Sequence, residues 1–540
     1  MFAAHTSYLS LMELHSAGHH GGIVAAPHYA AAEAGRDILG EGANALEAMI
    51  AMAAAIAAVY PHMNHIGGDG FWLFRHGSGR VRVIDAAGFA GERARRELYR
   101  HHEVIPPRGP LAALTVPGAV GGWALAHEAS RAFGGKLPLD ALFAPAIRHA
   151  REGYVVTRSQ ARLTSEKLAE LNDVPGFASM FLSEGKAPAE GAVLRQAALA
   201  DTIDHLAHVG LDDFYRGDVG REMAADLERI GSPITRGDLE RYRARLRDPL
   251  ELKLASATLY NTPPPTQGLA SLIILGLFER LAVARPEGFD HIHGLVEATK
   301  RAFRIRDRYV TDEDRLPHPP DRYLVPAFLD AEALKIDRRK AAAWPLPWGE
   351  GGTVWMGAAD RDGLVVSYVQ SLYWEFGSGC VLPRTGVVMQ NRGASFSLDP
   401  DALNALAPGR RPFHTLNPAL AVLKDGRVVA YGSMGGDGQP QTQAAVFTRH
   451  VSFGQTLADA IDRPRWLLGR TWGSERTSLR LESRFDEGVI DRLQSAGHEI
   501  EVVPEPYSDL MGHAGAVVRH RNGTLEGAHD PRADGGATGL

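Results

Sequence analysis

Cysteine is almost missing from this chain of 540 residues, which has only Cys380. A lone thiol closes no intramolecular disulfide and builds no cysteine zinc site, so secreted disulfide scaffolds and zinc ribbons are excluded. Long apolar runs are missing too: no stretch reaches the roughly 18 residues of a membrane span, and the N-terminus lacks the basic and apolar regions of a signal peptide. Nor does one sign of charge dominate, with 58 Lys plus Arg against 64 Asp plus Glu, net −6, and no run of like charges. Neither nucleic acid nor membrane is therefore expected as a partner. What these absences leave is a cytoplasmic globular protein, long enough for two to four domains or one large α/β unit at about 100–200 residues per domain.

Residues 44–60 form an Ala-rich helical pattern, and residues 71–74 and 80–84 flank a Gly-Ser-Gly turn as a β-hairpin. Helical periodicity continues over 272–281 and 291–309, after Pro263-Pro264-Pro265. The Trp- and Pro-rich texture of 337–350 marks a linker or processing loop. Beyond it, Asp362-Gly363, Asp425-Gly426 and Asn522-Gly523 predict strands joined by tight type I′ turns. Helices outside antiparallel sheets make a layered α/β sandwich, rather than a doubly wound fold, the expected class.

Four stretches could carry chemistry. The histidines at 15, 19, 20, 62 and 65 lack the His-Glu-x-x-His spacing of a helical metal site and read as loop or partly buried residues; no metal or cofactor is expected. Gly67-Gly68-Asp69-Gly70 resembles a phosphate loop by its glycines alone, and reads as a tight turn leading into Phe71. In Gly351-Gly352-Thr353, a threonine opens an apolar strand. Alone, this is more often a turn; but cleavage after Gly352 would give Thr353 an α-amine of pKa about 7.7–8.0, a base for its own hydroxyl. Gly432-Ser433-Met434-Gly435-Gly436-Asp437-Gly438 links a strand to a helix, and its glycines would let backbone N–H groups converge on an oxyanion; a plain connection is the alternative.

Gly42 to Ala48, Pro61 to Phe71, Thr115 to Val120, Pro263-Pro264-Pro265-Thr266-Gln267-Gly268, Glu297 to Phe303, Thr353 to Gly363, Phe376 to Gly379, Gly409 to Pro412, Gly435-Gly436 and Asp530 to Arg532 together resemble the γ-glutamyltranspeptidase family of N-terminal-nucleophile (Ntn) hydrolases over nearly the whole chain. The resemblance implies a four-layer αββα sandwich that cleaves itself between Gly352 and Thr353, giving a large subunit of 1–352 and a small one of 353–540, intertwined as one unit, with a dimer of such units as a further expectation. It further implies Thr353 as nucleophile, Ser371 in place of the family's second threonine, and the Gly435 and Gly436 N–H groups as oxyanion donors, with an acyl-enzyme on the path.

The departures concern substrate. Ala87 stands where the family has the arginine that holds the glutamyl carboxylate, and Ala394-Ser395 replace its paired aspartates. Tyr373 replaces an asparagine, Arg392 a neutral residue beside Asn391, and His414-Thr415 the serine pair; the 396–412 connection is too short for the lid loop. An ammonium would meet a positive wall, so a small carboxylate-bearing amide fits, with Arg392 and His414 as candidate anchors. This constellation is similar to the oxamate amidohydrolase branch. A γ-glutamyltransferase or glutathione hydrolase is the alternative, followed by a cephalosporin-type acylase, favoured only if Phe413 and Trp374 line the pocket. An inactive scaffold or a zinc hydrolase comes last.

Overall fold

The computed structural model describes residues 13–344, 352–469 and 478–540. Two seven-stranded antiparallel sheets lie between helical layers. One runs Gly536–Gly539, Gly22–Ala26, Gly352–Asp360, Val365–Tyr373, Asp69–Arg75, Val81–Ala86, Arg245–Arg247; the other runs His15–His19, Leu525–His529, Ala514–Arg519, Val428–Ser433, Ala419–Leu423, Ala257–Asn261, Leu250–Lys253. Each sheet mixes strands from both sides of position 352, so the two halves of the chain are interleaved rather than separate lobes.

The alternation of side chains along each strand builds the layers. In Gly352–Asp360, Trp355 and Ala359 join Phe71, Val369, Leu420 and Val517 between the sheets. Val354, Met356 and Ala358 face the other way, against the helix Ala45–Val59. That helix is buried along its whole length, which its alanines permit, and Asn44 with Glu47 closes its N-terminus as a capping box. On the opposite side Gly268–Leu281, Phe289–Tyr309 and Gly438–Phe447 cover the second sheet. The result is the αββα sandwich. No helix among the described residues is long and apolar enough to cross a membrane.

Two expectations need correction. The three Asx-Gly connections are hairpins, but not of type I′, which needs positive φ at both central residues; only Gly363, Gly426 and Gly523 have it. Each is a three-residue loop closed by a bond from the glycine N–H to the carbonyl three residues back, with the glycine left-handed at φ 88–94°. And the first part of the expected linker is docked. The Ala342 carbonyl accepts from Lys300 Nζ at 2.8 Å and its N–H donates to Glu297 at 3.1 Å, while Arg304 holds the Ala343 carbonyl at 2.8 Å. The remainder, 345–351, lies outside the described residues.

Candidate active site

Thr353 and Ser371 stand on adjacent central strands, both buried, with their hydroxyl oxygens 3.1 Å apart. The register slips between Gly352 and Val354, a bulge that re-aims the threonine. Ser371 Oγ also accepts the Tyr373 N–H at 2.8 Å. Gly68 explains part of the Gly67-Gly68-Asp69-Gly70 motif: a Cβ there would lie 2.1 Å from the Ser371 carbonyl oxygen, so only glycine lets the turn pass behind that serine.

The connection after Val428–Ser433 is only four residues long before the helix Gly438–Phe447 begins. Gly435 and Gly436 have φ of 115° and 53°, conformations that a side chain would strain. The Gly435 carbonyl accepts the Gly438 N–H at 2.7 Å, and the Gly436 carbonyl accepts Gln267 Nε2 at 2.8 Å.

Arg392 lies fully buried in a short 3₁₀ turn, Arg392–Ser395. Its Nη1 donates to Thr415 Oγ1 at 3.1 Å, and its guanidinium carbon stacks 3.8 Å from the Tyr373 ring centre. Nε and Nη2 find no hydrogen-bond partner among the described residues. Burial pulls its pKa down to about 10, against the pull of Tyr373 and Asp69, so it remains charged at neutral pH. A buried guanidinium with two donor atoms unpartnered among the described residues has the chemistry to receive an anion by charge-assisted hydrogen bonds.

His414 is placed beside this site but already engaged. Leu416 N–H donates to Nδ1 at 3.4 Å, which puts the ring proton on Nε2, 3.0 Å from Asp69 Oδ2. Burial, then Arg392 and Arg411, hold its pKa well below the usual value, so it stays neutral. The expected carboxylate contact from His414 is therefore directed to Asp69 instead. The single Ser395 hydroxyl proton is shared between the Arg392 and Phe413 carbonyls, 3.0 and 3.1 Å from Oγ, and Asn391 braces Trp374 N–H and the Pro107 carbonyl, both at 3.0 Å. These two shape the loop. Ala87 is buried in the apolar layer between the sheets.

Sequence reasoning missed Asp69. Its carboxylate accepts Gly88 N–H at 2.9 Å, Gly118 N–H at 3.1 Å and Gln390 Nε2 at 3.0 Å, and burial nonetheless pushes it up to about 7. The only signal was an acidic residue inside a glycine turn. Gln267 and Arg306 were missed as well, although the first lies within the Pro-Pro-Pro-Thr-Gln-Gly stretch.

The histidine clusters find ordinary partners: His15 with Glu526 at 2.8 Å, His19 with Ser16 at 2.7 Å, His62 with Ser159 at 3.0 Å, and His65 with the Val388 N–H at 3.1 Å. A different group, buried His293, Glu297 and His498, brings metal-ligating atoms within 4.8 Å of one another. Its atoms are committed to each other: His293 bonds His498 at 2.9 Å and the Asp337 carbonyl at 2.8 Å, and Glu297 takes the Lys300 ammonium at 2.7 Å. An ammonium in that position opposes a cation, and the group serves to dock 337–344.

The γ-glutamyltranspeptidase family model matches residues 31–540. The chain belongs to the γ-glutamyltranspeptidase family. It is thus an Ntn-type amidohydrolase of that family, in keeping with its two-sheet core. An oxamate amidohydrolase proenzyme of Klebsiella pneumoniae is 53% identical over 96% of this chain and 98% of its own. A glutathione hydrolase-like proenzyme of Bacillus subtilis is 39% identical over the same shares. Among solved structures, a cephalosporin acylase from Bacillus halodurans superposes with a TM-score of 0.89 at 31% identity, covering 97% of both chains.

Proposed function

We propose that this protein cleaves itself between Gly352 and Thr353 and then hydrolyses a small carboxylate-bearing amide, with oxamate the specific substrate. The observation that carries the substrate class is the buried Arg392 guanidinium with Nε and Nη2 unpartnered among the described residues. The oxamate amidohydrolase proenzyme at 53% identity supports the choice within that class.

In this reading the freed Thr353 α-amine takes the Oγ1 proton as the oxygen attacks the amide carbon, and Ser371, 3.1 Å away, orients the hydroxyl. The Gly435 and Gly436 N–H groups hold the developing oxyanion. The proton passes to the leaving nitrogen, ammonia departs, and a Thr353 ester remains. Water, deprotonated by the same amine, releases the acid; from oxamate the products are oxalate and ammonia. Arg392 holds the substrate carboxylate, and Tyr373 and Thr415 fix the guanidinium in place. The large and small subunits stay interleaved through both sheets; their further dimerisation and a cytoplasmic setting belong to the same proposal.

A γ-glutamyl substrate would bring an ammonium toward Arg392, and the positions of the family's aspartates hold Ala394 and Ser395, whose Oγ is turned to backbone carbonyls. A bulky acylase pocket gains nothing from Phe413, which packs in the core under the helices, or from Trp374, which Arg108 covers at 5.5 Å. The test is ammonia release from oxamate beside cleavage of a γ-glutamyl anilide. Oxamate turnover exceeding the anilide is expected; preference for the anilide refutes the substrate assignment.

A further inference from the structure

Two loops carry the proposed machinery, one with the oxyanion donors and one with the Arg392 partner Thr415, and a single side chain joins them. We propose that Gln267 is a positioning residue that keeps oxyanion donors and anion anchor in register, with Arg306 fixing the orientation of its amide. The inference rests on the reading of the site given above.

Gln267 is fully buried at the N-terminal end of the helix Gly268–Leu281. Its Nε2 donates to the Gly436 carbonyl at 2.8 Å and to the Thr415 carbonyl at 2.7 Å, which uses both amide N–H groups. Its Oε1 accepts from Arg306 Nη1 at 2.9 Å. The amide has one workable orientation: turned over, Oε1 would face two carbonyl oxygens and the NH₂ would face a guanidinium. The Gln267 N–H also donates to the His414 carbonyl at 3.0 Å, so backbone and side chain grip the same loop.

Arg306 is itself immobilised. It donates to Asp307 at 2.8 Å and to Asp437 at 2.7 Å, and its guanidinium stacks 3.9 Å from the Phe303 ring. Burial opposes its charge, but the two carboxylates outweigh that and hold its pKa above the ordinary value. Asp437 follows Gly436 directly, so Arg306 holds the oxyanion loop once by its own bond and once through Gln267.

The consequence is geometric. The Gly436 N–H shares a peptide plane with the Gly435 carbonyl, which the Gly438 N–H fixes, while Gln267 and the Gln439 N–H at 3.2 Å pin the Gly436 carbonyl in the next plane; with both planes held, Gly436 cannot pivot. In a small amide such as oxamate, the reacting carbonyl and the carboxylate are bonded carbon to carbon and cannot adjust to a shifted subsite. A donor that meets only the developing oxyanion is felt in kcat, not in substrate affinity.

The experiment is steady-state kinetics of wild type, Gln267→Met and Gln267→Glu, per processed chain, with thermal unfolding of each. Methionine keeps the volume without a donor; glutamate keeps the Arg306 contact but cannot donate to the carbonyls. Both variants are expected to lose roughly 10- to 100-fold in kcat while KM changes less than about threefold. Should Gln267→Met give no processed chain, Gln267→Glu decides. A kcat within about threefold of wild type in either folded variant, or a loss confined to KM, overturns the proposal. The variants are compared on whichever amide the wild type hydrolyses, so an unreactive oxamate would refute the substrate reading and leave this comparison standing.

Discussion

The Arg392 guanidinium carbon lies 3.8 Å from the centre of the Tyr373 ring, and Tyr373 ends the strand that carries Ser371, with a positive φ of 84°. A bulky aromatic residue in that conformation is strained by about 1–3 kcal/mol, tolerated where surrounding bonds over-determine it. Here the Tyr373 N–H is held by Ser371 Oγ, so the hydroxyl beside Thr353 also sets the ring on which Arg392 stacks.

Arg392→Met is expected to raise KM for oxamate by about 10- to 100-fold, as charged hydrogen bonds are worth about 1.5–3 kcal/mol. Arg392→Lys should recover only part of this, because an ammonium keeps the charge but loses the fork. Initial-rate kinetics on processed enzyme checks both. Equal KM in all three proteins would remove Arg392 from the substrate site.

The pH dependence follows from Asp69, whose carboxyl is pushed up to about 7 by burial, against the pull of Arg392. Above that pH the Asp69 carboxylate offsets part of the Arg392 field that attracts an anion; below it the acid is neutral. KM for an anionic amide should therefore rise as pH passes upward through about 7, and Asp69→Asn should flatten the profile. The stability sign is also set: with the folded pKa above the unfolded one, the folded state binds the extra proton between about 4 and 7, so this group's contribution falls as pH rises through that window. A KM constant from pH 6 to 8 in wild type would contradict the assignment.

The two sheets are keyed together by Trp355. Gly432 and Gly515 face each other on paired strands, and a Cβ on either would lie 2.1 or 2.3 Å from the indole. The indole N–H donates to Ser367 Oγ at 2.9 Å, which leaves the ring no free rotation. Gly432→Ala and Gly515→Ala should each destabilise the fold by about 1–3 kcal/mol or more through overpacking, read from denaturant midpoints. Unchanged midpoints would mean the slot is looser than these distances.

Much of this was legible in the residues because local signals agreed with the final packing. The capped alanine helix, the hairpin at Gly77-Ser78-Gly79 and the Gly435-Gly436 connection all carry their conformation in their own composition. The resemblance names Thr353 and Ser371, with Arg392 as a departure from it; in the structure the two hydroxyls lie 3.1 Å apart, and Arg392 stacks on Tyr373 at the end of the Ser371 strand. What composition could not show is how long-range partners divide the polar atoms. His414 looked available as an anion ligand, but its ring N–H is donated to Asp69, 345 positions away. The turn type failed for a related reason, since an Asx-Gly pair favours type I′ but an extra loop residue selects another geometry.

The docked stretch before the proposed cleavage point gives a separate prediction. Lys300 and Glu297 are both buried, 2.7 Å apart, and together hold the Ala342 backbone. Burial lowers the Lys300 pKa against the attraction of Glu297. Glu297→Gln leaves that ammonium without its counter-charge and is expected to destabilise by about 3–5 kcal/mol. The paired change Glu297→Gln with Lys300→Met should recover most of it, measured by thermal unfolding. No recovery would mean the pair is not coupled.

The central claim is that Thr353 becomes an N-terminal nucleophile. Intact mass under denaturing conditions, for purified wild type and Thr353→Ala, tests it most directly. The account predicts two wild-type fragments, 1–352 and 353–540, and a single uncleaved chain for the variant. A wild type that remains one chain while hydrolysing its amide, or a variant that cleaves at the same bond, would contradict it.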